Sequence, residues 1–208
     1  MPLTVEPFVL DNRYAANCWV VRTRSGAPAA VIDPGGDPEP LVSAGVETAG
    51  ILVTHGDVDH IAGVAELAER AGAEVWMPAG EADVLRTGVT RGGATVRAHD
   101  PEHEVNGGDT VSVAGIEFDV VDVPGHSAGH VAYHADGSLF SGDLLFEHSV
   151  GRVDLAGGDW EQLLGSVQAL LDRFGPDATV YPGHGGPTTL GRELASNPFL
   201  HELRSAAG

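Results

Sequence analysis

A chain of 208 residues, 42% of them hydrophobic and with mean hydropathy near zero, is long enough to bury one sizeable core, so a single domain over 1–208 is expected. Its 11 basic and 30 acidic residues give a net charge of −19, which repels phosphate backbones and anionic lipids and argues against nucleic-acid and membrane partners. All 11 basic residues are arginine, which excludes a Schiff-base lysine and the lysine of a phosphate-binding loop.

The first segment, MPLTVEPFVL, lacks a basic stretch followed by an apolar core. No apolar run approaches the roughly 18 residues that span a bilayer, so a cytoplasmic location is expected. Cys18 is the sole cysteine and sits in CWVV, the setting of a buried structural thiol rather than a nucleophile. Short β-branched runs then recur: NCWVVRT, AAVIDPG, GILVTHGD, AEVWMPAG, DTVSVAG, IEFDVVDVPGH, HVAYHADG, SLFSGD and ATVYPGH. They lead into Gly, Asp or His loops and predict strands. Apolar spacing predicts helices over 59–72 and 159–174, the second with Leu163, Val167 and Leu170 in its packing stripe, Asp159 as N-cap and Gly175-Pro176 as stop. Residues 79–109 are polar, Gly-rich and aperiodic, and predict a surface excursion with a short helix, either shaping substrate access or simply solvated.

Chemistry-bearing residues gather where strands end. Directly after ILV comes Thr54-His55-Gly56-Asp57-Val58-Asp59-His60, and in layered α/β folds ligands sit in the crevice beyond strand ends. VDVPGH, LFSGD and VYPGH bring His126, Asp143 and His184 to three further strand ends. Imidazoles and carboxylates without thiolates suit Zn²⁺, Fe²⁺ or Mn²⁺, and a carboxylate can bridge two ions about 3.5 Å apart. A Ser-His-Asp triad is set aside because no G-x-S-x-G elbow is present.

T-H-G-D-V-D-H resembles the T-H-x-H-x-D-H signature of the metallo-β-lactamase superfamily. Gly125-His126-Ser127-Ala128-Gly129-His130, Ser141-Gly142-Asp143-Leu144-Leu145-Phe146 and Tyr181-Pro182-Gly183-His184-Gly185 follow in that family's order. The resemblance runs from about Cys18 to about Leu200, and Gly151-Arg152-Val153-Asp154-Leu155 and Asn197-Pro198-Phe199-Leu200 are similar to the small glyoxalase II-like (hydroxyacylglutathione hydrolase-like) enzymes. It implies an α/β protein with an αββα sandwich and metals at one edge. One site would use His55 and His126, the other Asp59, His60 and His184, with Asp143 bridging. It also implies one or two divalent ions, zinc first and iron or manganese as alternatives. Asp59 would be a catalytic group beside a metal-activated hydroxide, and the substrate a small thioester or related acyl compound. The oligomeric state is left open.

Asp57 departs from the signature, whose second histidine it replaces. It either ligates, shifting preference towards iron or manganese, or leaves the first site weak or empty, or only hydrogen-bonds a ligand. Flavodiiron relatives carry a glutamate there. Only 24 residues follow His184, so the C-terminal extension with which glyoxalase II enzymes hold glutathione is not expected, and another thiol serves equally well. Two other readings stand beside the hydrolase: a mononuclear iron oxidoreductase resembling persulfide dioxygenases, and a non-enzymatic binding protein with a degraded site. β-Lactam hydrolysis is disfavoured because no lysine is available to hold the drug carboxylate. His130 is expected to support or pack, Arg152 and Asp154 to pair, and Trp160 and Tyr181 to lie in the core. His99, His103, His134, His148 and His201 are expected at the surface.

Overall fold

The computed structural model describes residues 2–10 and 13–206. In chain order its first half comprises β1 (Thr4–Val9), β2 (Asn17–Arg22), β3 (Ala29–Ile32), α1 (Glu39–Ser43), β4 (Thr48–Leu52), α2 (Val58–Ile61), α3 (Val64–Ala71), β5 (Glu74–Pro78), α4 (Ala82–Thr87) and β6 (His103–Val105). The second half comprises β7 (Thr110–Val113), β8 (Ile116–Asp122), β9 (Val131–Ala135), β10 (Ser138–Gly142), β11 (Leu145–Phe146), β12 (Ser149–Val150), α5 (Trp160–Phe174), β13 (Thr179–Pro182), β14 (Thr188–Thr189), α6 (Leu190–Ser196) and α7 (His201–Ala206). Strands β1-β2-β3-β4-β5-β6 form one sheet, β14-β13-β10-β9-β8-β7 form a second, and β11 and β12 pair separately as a two-stranded ribbon.

Side-chain alternation explains the layering. Along β2, Cys18 and Val20 face a core with Leu41, Val64, Leu67 and Leu85 of the helices. Trp19 and Val21 face the opposite way, onto Phe118, Val120, Tyr133 and Phe140 of the second sheet. β3 divides in the same manner, with Ala29 and Val31 outward and Ala30 and Ile32 inward. Both strands are buried along their length, and a strand covered on both faces reads as a continuous apolar run, as Cys18 to Val21 and Ala29 to Ile32 do. The outer face of the second sheet, through Val121, Ala132, Leu139 and Val180, meets Leu163, Val167 and Leu170 of α5. Helices thus cover both outer faces of two stacked sheets, the expected αββα sandwich.

Every run predicted as a strand is one, and α5 begins and ends as predicted: Asp159 accepts the Gln162 N–H at 2.9 Å and Gly175 closes the helix. The helix predicted over 59–72 is instead two, broken after Ile61. Gly63 donates its N–H to the Pro34 carbonyl at 2.8 Å, and a side chain there would strike the Gly36 carbonyl. The close crossing of the Pro34-Gly35-Gly36 loop therefore redirects the chain. β1 was hidden by Pro7, which an edge strand tolerates because one side of its backbone needs no partner. Among the described residues no helix is long and apolar enough to cross a membrane.

Candidate metal centre

Four loops converge at one edge of the sandwich. The segment after β4 carries His55 and Asp57 on its loop and Asp59 and His60 on the short helix α2, and the loops after β8, β10 and β13 carry His126, Asp143 and His184. Three donor groups arise, each with atoms within 4.8 Å of one another: His55, His60 and Asp143; His55, Asp57 and His126; and Asp59, His60 and His184. All seven residues singled out in the sequence therefore meet. His184 Nε2 lies 3.3 Å from Asp59 Oδ2 and 3.4 Å from Asp143 Oδ2, and His60 Nε2 lies 3.2 Å from Asp143 Oδ1. Donors about 2.1 Å from a shared ion are spaced in this way.

Hydrogen bonds on the far side of each ring aim the near nitrogen inward. His60 donates through Nδ1 to Asp33 Oδ2 at 2.9 Å. His126 donates through Nδ1 to the Arg152 carbonyl at 2.7 Å. The Thr54 hydroxyl gives its proton to Asp33 Oδ2 at 2.7 Å and so accepts from His55 Nδ1 at 3.0 Å. In each case the tautomer is fixed by an outer partner and Nε2 is left for ligation. Buried His55 Nε2, His60 Nε2 and Asp143 Oδ1 have no hydrogen-bond partner. Stranding such atoms is costly unless something else satisfies them, and a cation with nitrogen and oxygen donors fits.

Electrostatics separate the histidines. Burial opposes charge on His60, but the Asp143 and Asp33 carboxylates prevail and push its pKa well above the ordinary value. Hydrogen bonds to Asp143 and Asp59 raise His184 to about 9. Burial, reinforced by His60 and His130, holds His55 neutral. Burial also opposes ionisation of Asp143 and Asp59, yet His60 for the first and His184 for the second keep both below the usual carboxylate range.

Asp57 is not a simple stand-in for a histidine. It occupies the N-cap position of α2, but its carboxylate makes no cap hydrogen bond. Instead Arg91 grips it with a two-pronged contact, Nε to Oδ1 and Nη2 to Oδ2, both 2.7 Å. Burial penalises the Asp57 charge, but the hydrogen bonds from Arg91 hold it firmly ionised. Arg91 comes from the segment 79–109, so one turn of that predicted surface excursion reaches into the centre.

Sequence reasoning missed Arg91, Asp33 and Glu81. Asp33 follows β3 as the other site residues follow their strands, and it accepts the Thr54 N–H at 2.8 Å besides the two contacts above. Its φ of 52° lies in the left-handed region that Asp tolerates. Glu81 is buried and joins two ligand loops, accepting the Gly56 N–H and the Ser127 hydroxyl. His130 packs buried against the His55 ring at 4.7 Å, with its pKa driven down to about 3 by burial and His126. Arg152 pairs with Asp154 at 2.6 and 2.7 Å on the exposed rim. Cys18 is buried and its thiol is pushed well up by that burial. The centre opens into a cleft of about 420 Å³ lined by Tyr14, Asp59, Asp143, Arg152, Leu155 and His184, among others.

Two stacked sheets with a histidine and carboxylate cluster where their strands end define an αββα metal-centre protein. The chain belongs to the metallo-beta-lactamase superfamily, whose family model matches residues 11–184. It is 32% identical to the hydroxyacylglutathione hydrolase GloC of Haemophilus influenzae, an alignment covering 83% of this chain and 87% of that protein. Among solved structures, the BLEG-1 B3 metallo-beta-lactamase superposes with a TM-score of 0.87 at 30% identity, covering 95% of this chain and 100% of that one. TTHA1623, crystallised in a di-iron-bound form, superposes with a TM-score of 0.79 at 37% identity, covering 94% and 100%.

Proposed function

We propose that the protein hydrolyses a thioester of a small thiol, as the name of its Haemophilus influenzae relative suggests for that protein. The observation that carries this reading is the group Asp59, His60 and His184, with Asp143 3.2 Å from His60 Nε2 and 3.4 Å from His184 Nε2 and with His60 Nε2 and Asp143 Oδ1 unsatisfied, at the floor of a cleft sized for a small molecule. These four residues would hold a divalent ion, zinc or iron. When bound, such an ion acidifies a water and polarises an acyl oxygen.

The remaining work falls to the chain. Asp59, ionised and facing the cleft beside His184, is placed to take the proton from the attacking water as its oxygen bonds to the acyl carbon. The carbon–sulfur bond then breaks, the electron pair leaves with sulfur, and the proton held by Asp59 passes to the thiolate. Tyr14 and Leu155 offer apolar and aromatic surface to the acyl or thiol portion, and Asp33, through His60, keeps the centre rigid.

Thiol release from S-lactoylglutathione and from acyl thioesters of other small thiols tests the proposal on protein loaded separately with zinc and with ferrous iron. Turnover that falls by roughly 10²–10⁴ in Asp59→Asn is expected. A fully loaded protein inert across the panel, or one that consumes oxygen with a persulfide instead, refutes it.

A further inference from the structure

The paired donors on the other side of the centre are already spoken for. Asp57 Oδ2 and His126 Nε2 lie 3.1 Å apart. The carboxylate is an acceptor only, and the neutral His126 ring carries its proton on Nδ1, which donates to the Arg152 carbonyl, so Nε2 presents a lone pair. Two lone pairs at that distance repel unless a cation stands between them. Arg91 Nη2 is 2.7 Å from each. Its Nε completes the fork on Asp57 Oδ1, and Nη1 donates to the His126 carbonyl.

We propose that Arg91 occupies one of the two ion positions of this centre as a built-in organic cation, so that the chain holds a single metal ion, at Asp59, His60, Asp143 and His184. The proposal rests on the metal-centre reading above.

Three observations support it. First, the guanidinium is anchored rather than visiting: its side chain is 11% exposed. It projects from a tight reversal in which Thr90 N–H donates to Ala94 O at 2.9 Å and Gly93 N–H to Thr90 O at 2.8 Å, with Gly93 at φ 78°. Second, the arrangement accounts for Asp57. A guanidinium is held in two-pronged fashion by a carboxylate and not by an imidazole, so the aspartate is the residue an arginine in this position requires. Third, the charge balances: the ionised Asp57 and the guanidinium form a neutral pair. The carboxylates of Asp59 and Asp143 are thus left to neutralise one dication.

The test is metal stoichiometry, measured by elemental analysis after stripping and reloading with Zn²⁺ or Mn²⁺, beside the electron paramagnetic resonance of the Mn²⁺ form. Wild type should hold one ion per chain and show the signal of isolated Mn²⁺. Arg91→Ala and the bulkier Arg91→Met should hold two, with a signal broadened by coupling. Two ions in wild type overturn the inference and leave the metal-centre reading standing. No ion in wild type overturns both. One ion in wild type and in both folded variants overturns the role given to Arg91. If neither variant folds, anomalous scattering from a wild-type crystal decides: a peak among Asp59, His60, Asp143 and His184 supports the proposal, and one among His55, Asp57 and His126 overturns it.

Discussion

Asp33→Asn isolates how an outer partner governs the centre. The buried carboxylate receives three hydrogen bonds, from Thr54 N at 2.8 Å, Thr54 Oγ1 at 2.7 Å and His60 Nδ1 at 2.9 Å. Asparagine tolerates the left-handed backbone at this position, so the loop should keep its path. Its oxygen can still accept the Thr54 N–H, and the threonine hydroxyl can rotate. The His60 Nδ1 proton then faces an NH₂ group, and relieving that clash moves the proton to Nε2, the nitrogen aimed at Asp143. Loss of such an outer partner costs roughly 10–100-fold in metal affinity, or about 1.4–2.8 kcal/mol. In the metal-free protein, losing one charge-assisted hydrogen bond costs about 1.5–3 kcal/mol, which for a chain of this size lowers Tm by roughly 3–12 °C. Competition against a chromophoric chelator gives the affinity and circular dichroism gives the melt. Affinity within twofold of wild type would refute the claim that Asp33 sets the His60 tautomer.

Metal uptake should release protons. His184, raised to about 9 from 6.5, and His60, raised well above its ordinary value by Asp143 and Asp33, are both protonated near neutral pH in the metal-free protein. Apparent affinity should therefore rise with pH, tenfold per unit for each proton displaced, and begin to level off above about 9. The sign for folding is opposite. The stability that His184 gains from Asp143 and Asp59 is full below 6.5 and disappears as pH climbs through about 9, so the metal-free protein should melt progressively lower across that window. Calorimetry in two buffers of different ionisation enthalpy counts the protons, and none released contradicts the assignment. Gly183→Ala places a methyl against the Asp143 carboxylate and the His60 ring. The expected outcome is a folded protein, destabilised by about 1–3 kcal/mol, that has lost its metal; wild-type metal content would show that the site is looser than described. Glu81→Gln offers an NH₂ group to one of the two buried donors, Gly56 N–H or Ser127 O–H, and should cost about 1–3 kcal/mol in urea denaturation. An unchanged midpoint would mean that this clamp contributes nothing.

What the sequence discloses and what it withholds follows from the range of each interaction. Strands β2 to β4 announce themselves because each has a buried run free of charged and polar side chains: Cys18 to Val21, Ala29 to Ile32 and Gly50 to Leu52. His55, Asp59, His60, His126, Asp143 and His184 are legible because each sits just past such a run, where backbone pairing stops and side chains converge. Asp33 obeys the same rule after AAVI and could have been read in the same way. Gly63 breaks a helix for a reason outside that helix, the passing carbonyls of the Pro34 to Gly36 loop, so local periodicity carries it straight through. Arg91 is 34 residues from Asp57, in a segment whose polar, glycine-rich composition marks it as solvent-facing. Nothing local distinguishes an arginine in such a turn from a solvated one. Asp57 suffers the same limit from the other side. Compared only with a signature, it reads as a lost histidine and a weakened site. Seen with its partner, it is one half of an ion pair that places a permanent cation where His126 and Asp57 would otherwise share a metal. A substitution that breaks a local pattern can therefore complete a non-local one, and the two cases separate only when the neighbour across the fold is known.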